Sequence, residues 1–138
     1  MKELSLVGRL LFGGFLLFGS VHHFTQTSAL SRAAAQHGVP VPTAAVLVAG
    51  VLLLIAAVSF LLGIVPRIGV VALVLFLVPV TLTMHQFWHE GGLARGLDLI
   101  NFAKNVGLLG GGLMMLAIPE PWPYSVHLRG HVPRHARA

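Results

Sequence analysis

The chain has 138 residues, no cysteine and a formal net charge of +5. Hydrophobic residues make up 56% of it and charged residues 9%, whereas about 25% of a typical soluble domain is charged. So small a soluble fold could not bury this much apolar surface, and the composition therefore excludes an ordinary soluble domain. The lack of cysteine excludes disulfides, thiolate metal sites and thiol redox chemistry.

Four apolar stretches follow one another along the chain, without the polar face that a soluble helical bundle would show. Each approaches the roughly 20 residues that cross a bilayer as a helix. The predicted spans cover residues 4–22, 43–64, 68–86 and 101–118. We therefore predict an all-α membrane protein in which residues 1–120 form a four-transmembrane-helix bundle.

The connection between the first and second spans is long enough for an element of its own. Thr27 or Ser28 is a typical N-cap for a short helix that would stop before Gly38. We expect this helix to lie at the membrane interface or to re-enter the bilayer. The connection at residues 64–69 is only a tight turn, so the second and third spans should form an antiparallel hairpin.

Basic residues near the span ends predict the orientation. Lys2, Arg9, Arg67 and the arginines of the tail fall on one side of the membrane and outnumber those on the other, so both termini are predicted in the cytoplasm. Arg9 is expected to reach the lipid headgroups or to pair with Glu3.

The tail at residues 121–138 is rich in arginine and histidine. We expect it to be flexible beside anionic headgroups. Nucleic-acid binding is not expected, because no folded platform accompanies this charge.

Polar residues collect at the end of the predicted bundle that lies opposite the termini. His85 and His89 are four residues apart and would share one face of the third helix, as two imidazoles on one metal ion require. Lys104 should point inward, toward Asp98, Glu90 or a ligand oxygen, because a charge facing lipid is costly. The candidate ligand-binding residues are His22, His23, His85, His89, Trp88, Asn101, Lys104 and Asn105.

Three functions remain open for these residues. A polar pocket with aromatic walls from Phe24, Phe87, Trp88 and Phe102 suits a quinone-like or lipid-like headgroup. A haem or metal module on His22, His23, His85 and His89 is the second, with His85 and His89 as the metal candidates, although an HExxH motif is missing. The third is a structural or assembly protein in which Gly107 and Gly111 pack against a partner or a second copy of the chain.

Several short motifs occur in order between about residues 5 and 118. They are Gly8-Arg9-Leu10-Leu11, Phe18-Gly19-Ser20, Gly38-Val39-Pro40, Arg67 after the tight turn, His85-Gln86-Phe87-Trp88, and Phe102-Ala103-Lys104-Asn105 leading into Leu108-Leu109-Gly110-Gly111. As an ordered set they resemble the DoxX family of small four-helix membrane proteins. The chain departs from the family pattern at His22-His23-Phe24, where many relatives carry a glycine or lysine, and the tail after Pro119 lies outside the resemblance.

The resemblance implies a link to membrane oxidoreductases. DoxX-like proteins are associated with thiosulfate-to-quinone electron transfer in related DoxD-type subunits and with complexes of oxidative-stress enzymes. On this basis we expect an accessory subunit or docking partner of a quinone-linked redox system, rather than a stand-alone enzyme. Fold transfers across such a family more safely than function does.

Overall fold

The computed structural model describes residues 1–126, and these residues form helices joined by short connections. Helix α1 spans Lys2–Thr25, α2 Thr27–Gln36, α3 Pro42–Leu62, α4 Pro66–Met84 and α5 Gly92–Met114, and a 3₁₀ turn follows at Met115–Ala117. Within the described residues the fold is all-α, as the sequence predicts. Residues 127–138, which make up most of the predicted flexible tail, lie outside the described part of the chain.

Four of these helices are long and apolar enough to cross a membrane. They are α1, α3, α4 and the stretch Gly92–Ala117, whose most apolar segments have mean hydropathies of 1.8, 2.9, 2.2 and 1.3. Helix α2 is the short helix predicted between the first two spans, and it packs on α3 and α1. The protein is therefore a multi-pass membrane protein with four transmembrane helices.

The helix ends differ from the predicted span boundaries by one to four residues, and by more at the start of the fourth span. Helix α1 continues to Thr25, α4 ends at Met84 instead of residue 86, and α5 begins at Gly92 rather than residue 101. The largest difference arises because hydropathy identifies only the apolar part of a helix. The 26 residues of Gly92–Ala117 extend about 39 Å, which exceeds a hydrocarbon core of about 30 Å and leaves the polar first turns outside it.

The predicted cap of α2 is also wrong. Gln26 is the N-cap residue of α2 and makes no side-chain capping bond. Thr27 instead turns its hydroxyl back toward α1, where Oγ1 lies 2.8 Å from the carbonyl oxygen of His23 and 2.9 Å from that of Phe24. The Thr27 hydroxyl therefore bonds carbonyl oxygens at the end of α1 and does not cap the start of α2.

Helix α3 occupies the centre of the bundle. It packs against α1 on one side and α4 on the other, and α5 packs on the outer side of α4. The fully buried core includes Phe60 of α3, Leu73 of α4 and Leu16 of α1. Because α1 and α5 are not packed against each other along their length, the bundle is not closed between them.

Glycines allow the closest helix approaches. A Cβ added at Gly69 of α4 would lie 2.6 Å from Ser59 Oγ and 2.9 Å from Phe60 Cε1 of α3. A Cβ at Gly13 would lie 2.8 Å from Leu61 Cγ. Small residues of this kind let membrane helices approach closely enough for van der Waals contact between backbones.

Helix α5 packs through a different glycine from those predicted. A Cβ at Gly112 would lie 2.5 Å from Leu73 Cδ2. Among the described residues, nothing lies within 4 Å of a Cβ at Gly107, and only Phe12, at 3.6 Å, lies near one at Gly111. Gly112 follows Gly111 by one residue, or about 100° around the helix. The predicted pair therefore does not make the close contact within the chain.

The tight α3–α4 turn is held by Ser59. Its Oγ lies 2.7 Å from the carbonyl oxygen of Ile64 and 3.1 Å from that of Val65. Gly63 ends α3 with φ +69°, a left-handed conformation that glycine adopts without strain. The predicted antiparallel hairpin of the second and third spans is thus present.

The segment after α5 folds back over the end of the bundle that carries Met1 and the α3–α4 turn, which we call the terminal end. Trp122 is 3% exposed and stacks on Phe60 with ring centroids 6.1 Å apart. The backbone N–H of Val126 donates to the carbonyl of Leu62 over 2.9 Å. Order in the C-terminal segment therefore continues to Val126, beyond the predicted domain boundary at residue 120.

Arg9 fixes this segment from within the bundle. The side chain is buried, with Nη1 donating to the Pro123 carbonyl over 2.9 Å and Nη2 to the Tyr124 carbonyl over 3.2 Å. The prediction that Arg9 reaches the headgroups or pairs with Glu3 is wrong. Glu3 instead accepts from the Tyr124 hydroxyl over 3.4 Å, and the two terminal nitrogens of the guanidinium donate to carbonyls that the C-terminal segment brings to them, while Nε finds no acceptor among the described residues.

Replacing Gly69 with alanine should destabilise the protein by about 1–3 kcal/mol, because the new methyl group meets the buried Ser59 and Phe60. Gly107→Ala is the matched control, since it adds the same methyl group at a position where no other part of the described chain lies within 4 Å. The control should be neutral or stabilising by up to about 1 kcal/mol through helix propensity. Thermal unfolding in detergent measures both variants, and equal melting temperatures would contradict the packing described.

Replacing Arg9 with methionine should lower stability by about 1–3 kcal/mol, because the Pro123 and Tyr124 carbonyls lose their partly buried donor. Arg67→Met is the control, since the Arg67–Glu120 pair is exposed and such pairs contribute about 0–1 kcal/mol. In a Trp88→Phe background Trp122 is the sole tryptophan, and its emission should shift to the red in the Arg9 variant. An unshifted emission maximum with an unchanged melting temperature would contradict the role assigned to Arg9.

Candidate functional site

A cavity of about 600 Å³ lies between the helices at the far end of the bundle, which carries α2 and the α4–α5 connection. Side chains from all five helices and from the α2–α3 loop line it. It forms where α1 and α5 leave the bundle unclosed, while α3 and α4 provide its floor. Most of the wall is apolar, with Leu16, Leu53, Leu77 and Phe76 among its residues.

Polar side chains interrupt this apolar wall at six positions. They are His23 of α1, His37 after α2, Thr83 near the end of α4, His85 after α4, and Lys104 and Asn105 of α5. Four of the six, all except His37 and Thr83, belong to the predicted ligand-binding set. The chain reverses direction between consecutive spans, and this topology brings the polar ends of α1, α4 and α5 to the same end of the bundle.

His23 is fixed by two contacts. Its Nδ1 lies 2.8 Å from the carbonyl oxygen of Gly19, one turn earlier in α1. Its ring also meets Phe76 of α4 edge to face, with centroids 5.6 Å apart. These contacts hold the imidazole of His23 in the cavity wall between α1 and α4.

His85 is oriented by a carboxylate. Its Nδ1 lies 3.4 Å from Asp98 Oδ1, and both side chains are 21% exposed. A carboxylate behind one ring nitrogen sets the tautomer and the ring orientation of a histidine. Asp98 was predicted as an acceptor for Lys104, but the structure pairs it with His85.

Asn105 and Lys104 provide the polar groups of α5. Asn105 is 6% exposed, lines the cavity and makes no side-chain hydrogen bond to any of the described residues. Buried amides of this kind normally have partners. Lys104 is more exposed than predicted, and its Nζ donates to Asn101 Oδ1 over 3.0 Å rather than to Asp98 or Glu90. The ammonium retains two further protons for other acceptors.

The remaining predicted site residues lie outside the cavity wall. These are His22, His89, Trp88 and Asn101. His22 is exposed on α1, and Asn101 contacts the cavity residue Lys104 without lining the cavity itself. The predicted ligand set is therefore divided between the cavity and the surface around it.

The predicted helical pairing of His85 and His89 is wrong. Helix α4 ends at Met84, so the two histidines lie in the connection to α5 and share no helix face. His89 Nδ1 lies 3.2 Å from Gln86 Oε1. Within residues 1–126, no group of three or more histidine or acidic side chains could hold a metal ion.

The predicted aromatic wall forms a separate cluster. Phe87, Trp88 and Phe102 contact one another edge to face, with centroids 5.1 Å, 5.3 Å and 6.0 Å apart. None of the three lines the cavity, and neither does Phe24, whose ring lies against Gly50 of α3. The aromatic residues that do line it are Phe15 and Phe76.

His37 was not predicted from the sequence as a site residue, and Asp98 was predicted with a different partner. His37 lies in the α2–α3 connection, and its Nδ1 is 2.9 Å from the carbonyl oxygen of Ala33. Asp98 supports His85 from the first turns of α5, which were assigned to a loop. A prediction that the fourth helix begins near Gly92 places Asp98 about two turns before Asn105, at the same end of the bundle as His85.

Comparison with known proteins gives two matches. The DoxX family model matches residues 4–86. The inner membrane protein YphA of Escherichia coli (strain K12) is 33% identical over 92 residues, which cover 67% of this chain and 65% of that protein. No solved structure matches the chain significantly.

The family match covers the parts of the fold that build most of the cavity. It extends through α1, α2, α3 and α4 and ends just after His85, so that it includes His23, His37 and His85 but stops before Lys104 and Asn105. The fold, the span number and the motifs of the first three spans are consistent with this match. The chain belongs to the DoxX family of integral membrane proteins.

Proposed function

We propose that the protein is an accessory component of a quinone-linked redox system in the membrane, and that it binds a quinone-like ring headgroup in the cavity. The observation that carries this proposal is the combination of an apolar wall with the Asn105 amide, which lines the cavity and makes no side-chain hydrogen bond within residues 1–126. Ligand sites are typically apolar cavities of about 300–1,000 Å³ with a few oriented polar groups. At about 600 Å³, this cavity is large enough for a substituted ring.

The cavity also has access to the surrounding lipid. Val48 of α3 and Leu75 of α4 line it and are nevertheless 58% and 56% exposed. An apolar tail attached to the headgroup can therefore remain among the acyl chains while the ring enters. This arrangement supports an amphipathic ligand that arrives through the bilayer over one that arrives from water.

An accessory role agrees with the chemistry of the chain. No cysteine is present, so electrons would pass through a bound ligand or a partner protein and not through thiols. Helix α5 offers a surface for such a partner, because no atom of residues 1–126 lies within 4 Å of a Cβ at Gly107 or Gly110. The same surface supports the alternative of an assembly protein or homo-oligomer that acts through Gly107 and Gly111.

The haem or metal alternative has less support from the geometry. His22 and His89 lie outside the cavity, so that only His23 and His85 of the four proposed ligands line it. The quinone-like ligand uses the residues that the fold brings together, whereas the haem or metal module needs residues that the fold separates.

The distribution of basic residues supports an orientation with both termini in the cytoplasm. The cavity then opens in the outer leaflet. Because the chain has no cysteine, a His89→Cys variant tests this orientation without background. A membrane-impermeant maleimide should label it in intact cells, whereas Arg67→Cys should react only after permeabilisation; the reverse result would invert the orientation.

Filling the cavity should abolish ligand binding. Ala49 lines the cavity from α3, and an Ala49→Phe variant should lower the affinity for an equimolar mixture of 2-decyl-1,4-benzoquinone and its hydroquinone at least tenfold. Ala44→Phe is the matched control, since Ala44 is an exposed residue of the same helix outside the cavity wall. Equilibrium dialysis of the purified protein in detergent measures both. Unchanged binding in Ala49→Phe would contradict the assignment of the cavity as the site.

A further inference from the structure

The three histidines of the cavity share a feature that restricts the ligand. In each, Nδ1 faces an oxygen that can only accept a hydrogen bond: the Gly19 carbonyl for His23, the Ala33 carbonyl for His37 and the Asp98 carboxylate for His85. A neutral imidazole carries one proton, and here that proton must sit on Nδ1 to form these bonds. The ring nitrogen left for a ligand is therefore Nε2, with its lone pair.

We infer that the cavity prefers a ligand headgroup that bears hydroxyl groups, a hydroquinone over the corresponding quinone, because its histidines offer hydrogen-bond acceptors. This inference rests on the proposed function and specifies the redox form of the ligand. A hydroquinone O–H donates to Nε2, whereas a quinone carbonyl has no proton to donate. A quinone would leave these nitrogens without a partner in an apolar wall.

The polar groups of α5 complement this pattern. The hydroxyl oxygen of a hydroquinone also accepts hydrogen bonds, and Asn105 and Lys104 both have N–H groups available. Each ligand hydroxyl can thus donate to a histidine and accept from α5. A carbonyl would use the α5 donors alone.

Three Nε2 lone pairs could also bind a metal ion. The histidines belong to three different parts of the chain, and across residues 1–126 no three such side chains come together as metal ligands. Hydroxyl groups on a ring several ångströms wide do not need the nitrogens to converge on one point. The separation of the histidines therefore favours an organic ligand.

Three decyl-substituted probes of nearly equal size test the inference on the purified wild-type protein. They are 2-decyl-1,4-hydroquinone, kept reduced under argon, its dimethyl ether, and 2-decyl-1,4-benzoquinone. The hydroquinone should bind at least tenfold more tightly than either of the others, since one additional hydrogen bond of about 1.4 kcal/mol corresponds to a factor of about ten.

Histidine variants locate the effect. His23→Phe and His85→Phe keep an aromatic ring but remove the acceptor, so each should weaken hydroquinone binding about tenfold and leave the affinity for the dimethyl ether unchanged. His22→Phe is the control, because His22 neighbours His23 but lies outside the cavity wall; it should bind all three probes as the wild type does. For each variant, the ratio of the hydroquinone affinity to the dimethyl ether affinity reports the hydrogen bond independently of any general loss of structure.

The outcomes separate the two proposals. Equal binding of the three probes to the wild type would overturn the preference for hydroxyl groups and leave the proposed function standing. Tighter binding of the benzoquinone would overturn it as well. Failure of all three probes to bind would contradict the proposed function and, with it, this inference.

Discussion

The close packing of α3 between α1 and α4 is the constraint on which the rest of this structure depends. Near the terminal end, Gly13 and Gly69 remove the side chains that would otherwise separate these helices, and Gly112 does the same for α5 against Leu73. In lipid, helix association depends on such van der Waals contact because the hydrophobic effect contributes little between spans. With α3 in the centre and α5 on the outer side of α4, α1 and α5 leave the far end open, and the cavity follows from this arrangement.

The C-terminal segment completes the closed end. Trp122 covers Phe60, and Arg9 donates to the Pro123 and Tyr124 carbonyls. A buried guanidinium is costly unless its protons find acceptors. Arg9 is therefore stable in its buried position only when the C-terminal segment folds back over it. The two ends of the described chain stabilise each other. At the far end, the cavity histidines and the donors of Lys104 and Asn105 retain hydrogen-bonding groups for a ligand.

Hydropathy and topology predicted much of the molecule but not the rotation of its helices. The four spans follow from the lengths of the apolar stretches, and the position of His23, His85, Lys104 and Asn105 at one end follows from reversal of direction between spans. Side-chain packing between helices decides which glycine of α5 contacts Leu73, Gly112 rather than Gly111. It also decides that Arg9 faces the C-terminal segment. The end of α4 at Met84 was missed because no proline or glycine marks it before Gly91, and the pairing of His85 with Asp98 was missed as a consequence.

The central claim is that the helices pack closely at the terminal end and enclose a cavity at the far end, and that this cavity binds a hydroxylated ring. Photolabelling in native membranes tests it most directly, with a decyl-hydroquinone that carries a diazirine on its ring and peptide mass spectrometry to locate the modified residues. The account predicts modification of the cavity wall around His23, His85 and Asn105, which excess unlabelled decyl-hydroquinone prevents. Modification confined to the Phe87, Trp88 and Phe102 cluster or to the Gly107 surface of α5, without competition, would contradict it.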